Sequence, residues 1–289
     1  MGDYVSGVII FSLIYVIATV GLSIFTGFTG LFSLGHAAFF AIGAYTAGIL
    51  TYFYNVNFYL ALAAGAAVAG LVGVLIGYPT LKAKLRSDYF AIATLGFGEA
   101  VRVLLENLDF TQGARGLPGI AAETTLPVVL VMVVLVIWVA RNFVYSRYGR
   151  AAIAVREDFV AAEMMGINLF QVRIRSLVFS AVTAGLAGGL FAHYVSFIQP
   201  GMFTSYLSTQ LTASVVAGGM GSITGPAIAA VIFVAIPEML RVASMWRLVA
   251  YGLLLVLIMV FRPQGLFGFR EFSWRGCINY FKKIKSGVA

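Results

Sequence analysis

Two long stretches of this chain contain no charged residue at all. Asp, Glu, Lys and Arg are absent from residues 4–81 and again from residues 176–237. A membrane-spanning helix needs about 20 apolar residues, so each stretch has room for roughly three spans. The apolar runs are continuous rather than alternating, which favours helices over barrel strands, because a helix satisfies its own backbone hydrogen bonds. The pattern predicts an all-α, polytopic helical membrane protein.

The composition agrees with a membrane location. Of the 289 residues, 61% are hydrophobic and 10% are charged, whereas a soluble domain carries about 25% charged residues. The first apolar segment follows Asp3 and has no basic stretch before it, so we expect a spanning helix rather than a cleaved signal peptide. Cys277 is the one cysteine, which excludes an internal disulfide. A water-facing fold is therefore excluded.

Basic residues fall mainly into three clusters, and these clusters set the expected topology. Positively charged loops stay on the cytoplasmic side of a membrane, so the net charge of +8 reflects orientation and not nucleic-acid binding. The loop at 106–123 is mainly acidic and is expected outside. The three cytoplasmic clusters are Lys82, Lys84 and Arg86; Arg141, Arg147, Arg150, Arg156, Arg173 and Arg175; and Arg262, Arg270, Arg275, Lys282, Lys283 and Lys285.

This charge distribution predicts about nine crossings, with the N-terminus outside and the C-terminus inside. Segment 206–220 is short and glycine-rich, so a re-entrant loop there stays open, in which case the last segment also fails to cross. Residues 1–265 are expected to form the transmembrane permease domain, with a cytoplasmic loop at 143–175, and residues 266–289 a basic cytoplasmic tail. The expected crossings are 4–25, 36–54, 58–81, 88–106, 124–141, 176–195, 206–220, 224–240 and 246–262.

Glycine interrupts the apolar pattern in two segments, GFTGLFSLGHAAF at 27–39 and VVAGGMGSITGP at 215–226. Glycine and proline weaken a helix by about 1 and 3 kcal/mol relative to alanine. Paired breaks in the two halves of a transporter indicate a translocation path, and close helix packing around small residues is the alternative. The candidate substrate-path residues are Gly27, Thr29, Gly30, Ser33, His36, Phe39, Gly218, Gly219 and Gly221.

Few ionisable residues lie within the apolar segments. His36 and His193 stand alone, and a hydrogen bond to a neighbouring helix is the favoured interpretation of each, although His36 is also a path candidate. Glu99 and Arg102 are three residues apart on one helix face and form a predicted intramembrane pair. No phosphate-binding loop, H-E-x-x-H or C-x-x-C motif occurs, so we expect no catalytic residue, metal site or cofactor in this chain.

The segment 143–175 is the longest polar stretch between apolar runs. Within it, residues 156–166 predict a short helix, with Glu157 and Asp158 in its first turn and Gly166 as its stop. A short helix that projects from a membrane bundle can dock into a groove on a partner protein. On these residues alone, a docking helix and a solvated connector are equally open.

The motifs along the chain resemble one transporter family. Ala161-Ala162-Glu163, followed by Gly166, is similar to the EAA coupling segment of bacterial ABC importer permeases, but the distal Leu-Pro of that segment is missing. Further stretches, in the same order from about residue 20 to 265, resemble the M-type (LivM-like) permeases of branched-chain amino-acid importers. They are GFTGLFSLGHAAFFAIGAYTA (27–47), SDYFAIATLGFGEAVR (87–102), TQGARGLPGI (111–120), EDFVAAEMMGIN (157–168), SAVTAGLAGGLFAHYVSFIQP (180–200) and VVAGGMGSITGP (215–226).

This resemblance implies a permease subunit that carries leucine, isoleucine and valine across the bacterial inner membrane. Its implied partners are a homologous second permease, two cytoplasmic ABC ATPase subunits that bind the ATP, and an extracytoplasmic amino-acid-binding protein. The alternatives are a related importer for urea, short amides or other amino acids and, further away, a stand-alone secondary transporter or a membrane-embedded enzyme. The implied ATPase-coupling residues are Glu157, Asp158, Ala161, Ala162, Glu163 and Gly166.

Overall fold

The structure is a computed structural model that describes residues 2–83 and 85–239, with the short pieces 252–253, 255–258, 260–261, 265–266 and 268. Helices dominate these residues. They are α1 (Gly2–Leu22), α2 (His36–Tyr54), α3 (Phe58–Lys82), α4 (Ser87–Asn107), α5 (Leu126–Tyr145), α6 (Arg147–Glu157), α7 (Phe159–Met164), α8 (Leu169–Val195), α9 (Ser205–Gly218) and α10 (Thr224–Met239). A π-helical turn at Ser23–Gly27 extends α1, 3₁₀ turns lie at Asp109–Thr111, Gly113–Arg115 and Pro200–Met202, and strands β1 (Leu117–Pro118) and β2 (Phe197–Ile198) pair antiparallel.

Five helical stretches in the described part are long and apolar enough to cross a membrane. Each of them overlaps a crossing that the apolar pattern predicts, and α2 has the same bounds as its predicted crossing, 36–54. An all-α membrane fold follows, as the apolar runs predict. The five stretches are Tyr4–Gly27, His36–Tyr54, Phe58–Lys82, Leu126–Tyr145 and Leu169–Val195.

Three of the remaining predicted crossings correspond to α4, α9 and α10, which are shorter or less apolar than the five stretches above. α4 has 21 residues, enough for about 31 Å, but four of these residues are charged. α9 has 14 residues, which extend about 21 Å and thus less than the roughly 30 Å of a bilayer core. In α10 the apolar stretch is Thr224–Ala235. The predicted crossing at 246–262 and the predicted tail at 266–289 lie largely outside the described residues.

The segment 143–175, in which the sequence predicts one short helix, is helical over most of its length. It holds the end of α5, all of α6 and α7, and the start of α8. Polar caps explain the divisions: the Ser146 hydroxyl accepts from the Tyr148 amide at the start of α6, and Asn168 accepts from the Gln171 amide at the start of α8. The apolar run predicts a helix that begins at residue 176, but α8 begins seven residues earlier, at Leu169.

Glycines bring α2, α3 and α8 into close backbone contact at the centre of the molecule. Gly43 of α2 faces Gly185 of α8, and a Cβ built on Gly65 of α3 would stand 2.8 Å from the Gly43 carbonyl oxygen. One turn along, Gly188 lies so close to the Phe40 carbonyl that a Cβ would overlap it. Small residues permit this approach, and the resulting van der Waals contact holds helices together where lipid provides no hydrophobic drive.

The connection between α4 and α5 is fastened to the end of α8. Leu117 in β1 lies opposite Ile198 in β2, and the Thr124 hydroxyl donates to the Leu190 carbonyl at 2.9 Å. These contacts give the connection a fixed position beside the ends of α2 and α8.

Close packing at Gly188 is testable by adding one methyl group. We expect Gly188→Ala to lower the stability of the detergent-solubilised protein by about 1–3 kcal/mol, because the methyl group must push α8 away from α2. Gly96→Ala is the matched control: it also lies in a helix, but no described heavy atom stands within 4 Å of its added Cβ. Thermal unfolding, followed by size-exclusion chromatography, measures both. Equal melting temperatures for the two variants would contradict the packing described for Gly188.

Candidate functional site

The first glycine-containing break is a non-helical stretch at 30–35, between the end of the α1 extension and α2. Peptide groups freed at a break need partners from the protein, because a bilayer core offers none. Hydroxyl groups on other helices supply them. Backbone N–H groups in and beside the break donate as follows: Phe32 to Ser87 at 3.1 Å, Leu34 to Thr94 at 3.1 Å and Ala37 to Ser208 at 2.8 Å. The break is therefore tied to α4 and α9.

His36 connects the break to α8. Its Nδ1 lies 3.0 Å from the Ser33 hydroxyl, and its Nε2 lies 2.6 Å from the Ser180 hydroxyl of α8. The Thr212 hydroxyl of α9 donates to the Ser33 carbonyl at 3.0 Å. Because His36, Ser33 and Ser180 are all fully buried, this polar network joins three helices inside the chain itself.

The second isolated histidine also joins two helices. His193 Nδ1 lies 2.8 Å from the Gly189 carbonyl, and its Nε2 lies 3.0 Å from the Thr51 hydroxyl of α2. An isolated histidine is predicted to form a hydrogen bond to a neighbouring helix, and His193 forms one to α2.

Most of the predicted path residues of the first break are enclosed by the chain. Gly27, Ser33, His36 and Phe39 are buried, and the Thr29 hydroxyl donates to a carbonyl of its own helical turn. Two other predicted path residues, Thr29 and Gly30, border a cavity of about 540 Å³. The cavity is also lined by Arg86 just before α4, Arg156 of α6, Phe159 and Glu163 of α7, and Arg173 of α8. Two of the predicted path residues thus border this cavity, and Thr29 is itself buried there.

The second break, at 219–223, lies between α9 and α10. A Cβ on Gly27, at the end of the π-helical turn that precedes the first break, would overlap the carbonyl oxygen of Met220, so this turn touches the second break through backbone. Gly218 packs against the start of α10, and Gly219, with a φ of +114°, packs against Gly268. Gly221 is half-buried. The structure therefore brings the two predicted breaks together.

The predicted coupling helix is shorter than 156–166. α7 begins at Phe159, because Asp158 has extended backbone and its carboxylate accepts from the Val160 and Ala161 amides at 2.9 and 3.0 Å. Glu157 ends α6 and does not lie in the first turn of α7, which corrects the prediction. Gly166 has a φ of +80°, the left-handed conformation that ends a helix, as predicted.

α7 presents apolar side chains to the outside. Met164 and Met165 are 85% and 83% exposed, and Phe159 and Val160 are more than half exposed. Ala162 is buried, and it packs with Leu169 and other residues of α6 and α8. Ala161 and Glu163 are exposed. Exposed apolar groups on so short a helix are typical of a surface that a partner covers.

Arg156, near the end of α6 and just before α7, contacts the chain at the first break. Its Nη1 donates to the Gly27 carbonyl at 3.0 Å, and its side chain runs past Gly30, whose added Cβ would stand 3.1 Å from Cγ. The guanidinium also pairs with the Glu157 carboxylate. The sequence places Arg156 in a basic cluster but gives no indication of this long-range contact.

α4 carries a string of three charged side chains on one face. Arg102 donates from Nε to Glu99 at 2.8 Å and from Nη1 to Glu106 at 3.3 Å. Glu99 also accepts from the Ser205 amide at 3.3 Å. The side chains of Arg102, Glu99 and Glu106 are 28%, 37% and 42% exposed. The structure thus places the two predicted residues in an ion pair and adds Glu106 to it.

Several residues of this network are absent from the sequence predictions. They share one feature, a hydroxyl group within an otherwise apolar helix, and this feature could have identified them from the sequence. Arg156 had no comparable signal. The hydroxyl residues are Ser87, Thr94, Ser180, Ser208 and Thr212.

Comparison with known proteins assigns the chain to a family. The family described as branched-chain amino acid transport system / permease component matches residues 4–261. The chain belongs to this permease family. The resemblance predicted from the motifs is thereby confirmed, and the chain is a multi-pass membrane transport protein.

Curated relatives of this permease come from bacteria and archaea. The high-affinity branched-chain amino acid transport system permease protein LivM of Salmonella typhimurium is 35% identical, over 88% of this chain and 68% of its own. The probable branched-chain amino acid transport permease protein LivH of Methanocaldococcus jannaschii is 26% identical, over 76% and 74%. The autoinducer 2 import system permease protein LsrC of Yersinia pseudotuberculosis is 27% identical, over 69% and 62%. No solved structure was found to match the chain.

The buried histidine network of this permease is testable by substitution. His36→Leu should lower the free energy of unfolding by about 1–3 kcal/mol, because the Ser33 and Ser180 hydroxyls lose their shared partner. His36→Gln keeps a donor and an acceptor and should recover part of that loss. Thermal melting in detergent compares both variants with the wild type. Three identical melting temperatures would rule out a stabilising role for these hydrogen bonds.

Proposed function

We propose that this chain is the M-type permease subunit of an ATP-driven importer for leucine, isoleucine and valine in the inner membrane of a bacterium. The observation that carries the proposal is the 35% identity to LivM over 88% of the chain. The autoinducer permease is less similar, at 27% over 69% of the chain, which favours branched-chain amino acids as the cargo. Urea, short amides and other amino acids stay as outcomes of the uptake experiment below.

In the proposed topology the chain crosses the membrane about nine times, with its N-terminus outside and its C-terminus in the cytoplasm. Positive charge supports this orientation, because Arg147, Arg150 and Arg156 lie in α6, and Arg173 and Arg175 lie in the first turns of α8. These helices flank α7 on the side where a cytoplasmic partner would dock.

The proposed partners are a homologous second permease, two ABC ATPase subunits and an extracytoplasmic binding protein. The similarity to LivH supports the first of these, because two permeases of one family can form a pseudo-symmetric pair. The apolar surface of α7 supports the second. Met164 and Met165 are suited to a groove on another protein, since flexible methionine side chains adapt to an apolar pocket.

We propose that Arg156 transmits motion between the ATPases and the translocation path. A displacement of α7 would pull on the Gly27 carbonyl through Arg156, and Gly27 rests on the second break at Met220. Both breaks would then move together, opening or closing the path beside the cavity at Thr29. In this scheme Asp158 and Gly166 define the ends of α7, Ala162 anchors it, Ala161 and Glu163 face the ATPase, and Glu157 orients Arg156.

The coupling role of Arg156 predicts a selective defect. Arg156→Gln should reduce ATP-driven leucine uptake about tenfold or more, because a hydrogen bond to a charged group contributes about 1.5–3 kcal/mol. Arg175→Gln is the matched control: it removes the same charge from the same side, but the contacts it loses are with Tyr148 and not with the first break. Uptake and ATP hydrolysis are measured in proteoliposomes. If both variants transport at the wild-type rate, Arg156 has no coupling role.

The importer itself is tested by radiolabelled uptake. The chain, a candidate second permease, the ATPases and the binding protein are co-reconstituted, and leucine, urea and a polar amino acid are supplied in parallel. We expect leucine uptake that requires ATP and stops when the ATPases are omitted. Uptake of urea alone would keep the importer but change its cargo. Leucine uptake by this chain alone would overturn the proposal in favour of a secondary transporter.

A further inference from the structure

We propose that the exposed face of α4 is a wall of the translocation path and binds the amino acid in transit. The Glu99–Arg102 pair receives the ammonium and carboxylate groups, and the adjoining surface of Ile92, Leu95 and Gly96 receives the branched side chain. This inference rests on the proposed function, which supplies the chemistry of the cargo.

One side of α4 is anchored and the other is open. Phe90, Thr94 and Leu105 are buried, and the Thr94 hydroxyl holds the first break. The opposite stripe recurs at intervals of three and four residues, so it lies along one face of the helix. Its members are Asp88, Ile92, Leu95, Gly96, Glu99, Arg102, Val103 and Glu106, which are exposed or half-buried.

Lipid is a poor covering for this stripe. Glu99 lies 12 residues after Ser87, which is about 18 Å along the helix axis and within a bilayer core of roughly 30 Å. Charged side chains at that depth are costly unless they face water or protein. The exposed faces of α3 and α5 are different, since large apolar residues such as Leu71, Leu75 and Val131 cover them. Those two faces suit lipid, whereas the α4 face suits a polar path.

The chemistry of the stripe matches a branched-chain amino acid. Such a ligand is a zwitterion with an apolar side chain, and Glu99 and Arg102 offer one charge of each sign 2.8 Å apart. Exchange of this ion pair for two pairs with the ligand leaves the net charge of the site unchanged. One turn along, Ile92 and Leu95 have exposed side chains, and no described heavy atom stands within 4 Å of a Cβ added to Gly96. Polar and apolar recognition elements therefore adjoin on one helix.

Cysteine accessibility tests whether the α4 face lies in a water-filled path. In a Cys277→Ser background, Ile92→Cys and Leu95→Cys on α4 are compared with Leu71→Cys and Leu75→Cys on α3, all at exposed positions. The complete reconstituted importer is treated with a small water-soluble thiol reagent. We expect the α4 cysteines to react at least about tenfold faster than the α3 cysteines and to be slowed by leucine delivered by the binding protein. Equal rates, or rates that leucine does not change in any nucleotide state, would overturn the proposal.

Charge neutralisation separates a ligand site from a purely structural ion pair. Glu99→Gln leaves Arg102 paired with Glu106 alone, and Arg102→Gln removes the cation that both carboxylates share, whereas the double variant restores the net charge of the wild-type string. If the pair binds the amino acid, leucine uptake should fall about tenfold or more in each single variant and stay low in the double variant. If the pair only stabilises the helix, the double variant should recover uptake toward the wild type, which would overturn the binding role. Melting temperatures of all three variants show whether folding is affected.

The two proposals fail in different ways. Absence of leucine uptake by the wild-type importer removes the proposed function and, with it, the binding of leucine to α4. Wild-type leucine uptake combined with unreactive α4 cysteines keeps the importer and rejects α4 as the wall of its path.

Discussion

The rest of the structure depends on one constraint, which is that the backbone freed at residues 30–35 must find hydrogen-bond partners inside the protein. Lipid cannot supply them, so hydroxyl groups on α4 and α9 do. His36 adds a link to α8, and Arg156 adds a link to the end of α6, just before α7. An interruption in one helix thereby becomes the point at which four other parts of the chain meet.

The central block of α2, α3 and α8 makes this arrangement possible. Glycines at 43, 65, 185 and 188 let the three backbones approach so closely that an added Cβ at each would overlap an atom of a neighbouring helix. Such packing is dense and leaves little freedom for the helices to slide. We therefore expect motion to be accommodated more readily at the two breaks and at α7 than within the block.

The exposed faces of the helices differ in how many charged side chains they carry. The exposed faces of α3 and α5 are apolar, as lipid requires, whereas α4 exposes Glu99, Arg102 and Glu106 on a helix that is long enough to span the bilayer. The apolar residues of α7 show the converse pattern, since they are exposed next to a strongly basic segment. Both surfaces are open to the outside of the chain, and we propose a ligand for α4, whose charges do not suit lipid, and a partner for α7, whose apolar side chains do not suit water.

The sequence by itself determined the helical membrane fold and most helix positions, because the bilayer sets the length of an apolar run and charged residues mark its ends. It also identified both breaks and the stop at Gly166, which depend on local glycine chemistry. The start of α7 after Asp158 depends on a local side-chain cap that competes with helix continuation, and the sequence pattern does not show which of the two prevails. Only the tertiary structure decided the contacts of His36 with Ser180 and of Arg156 with Gly27, which join residues more than 100 positions apart. No local pattern encodes such pairs, because they exist only once packing has brought distant helices together.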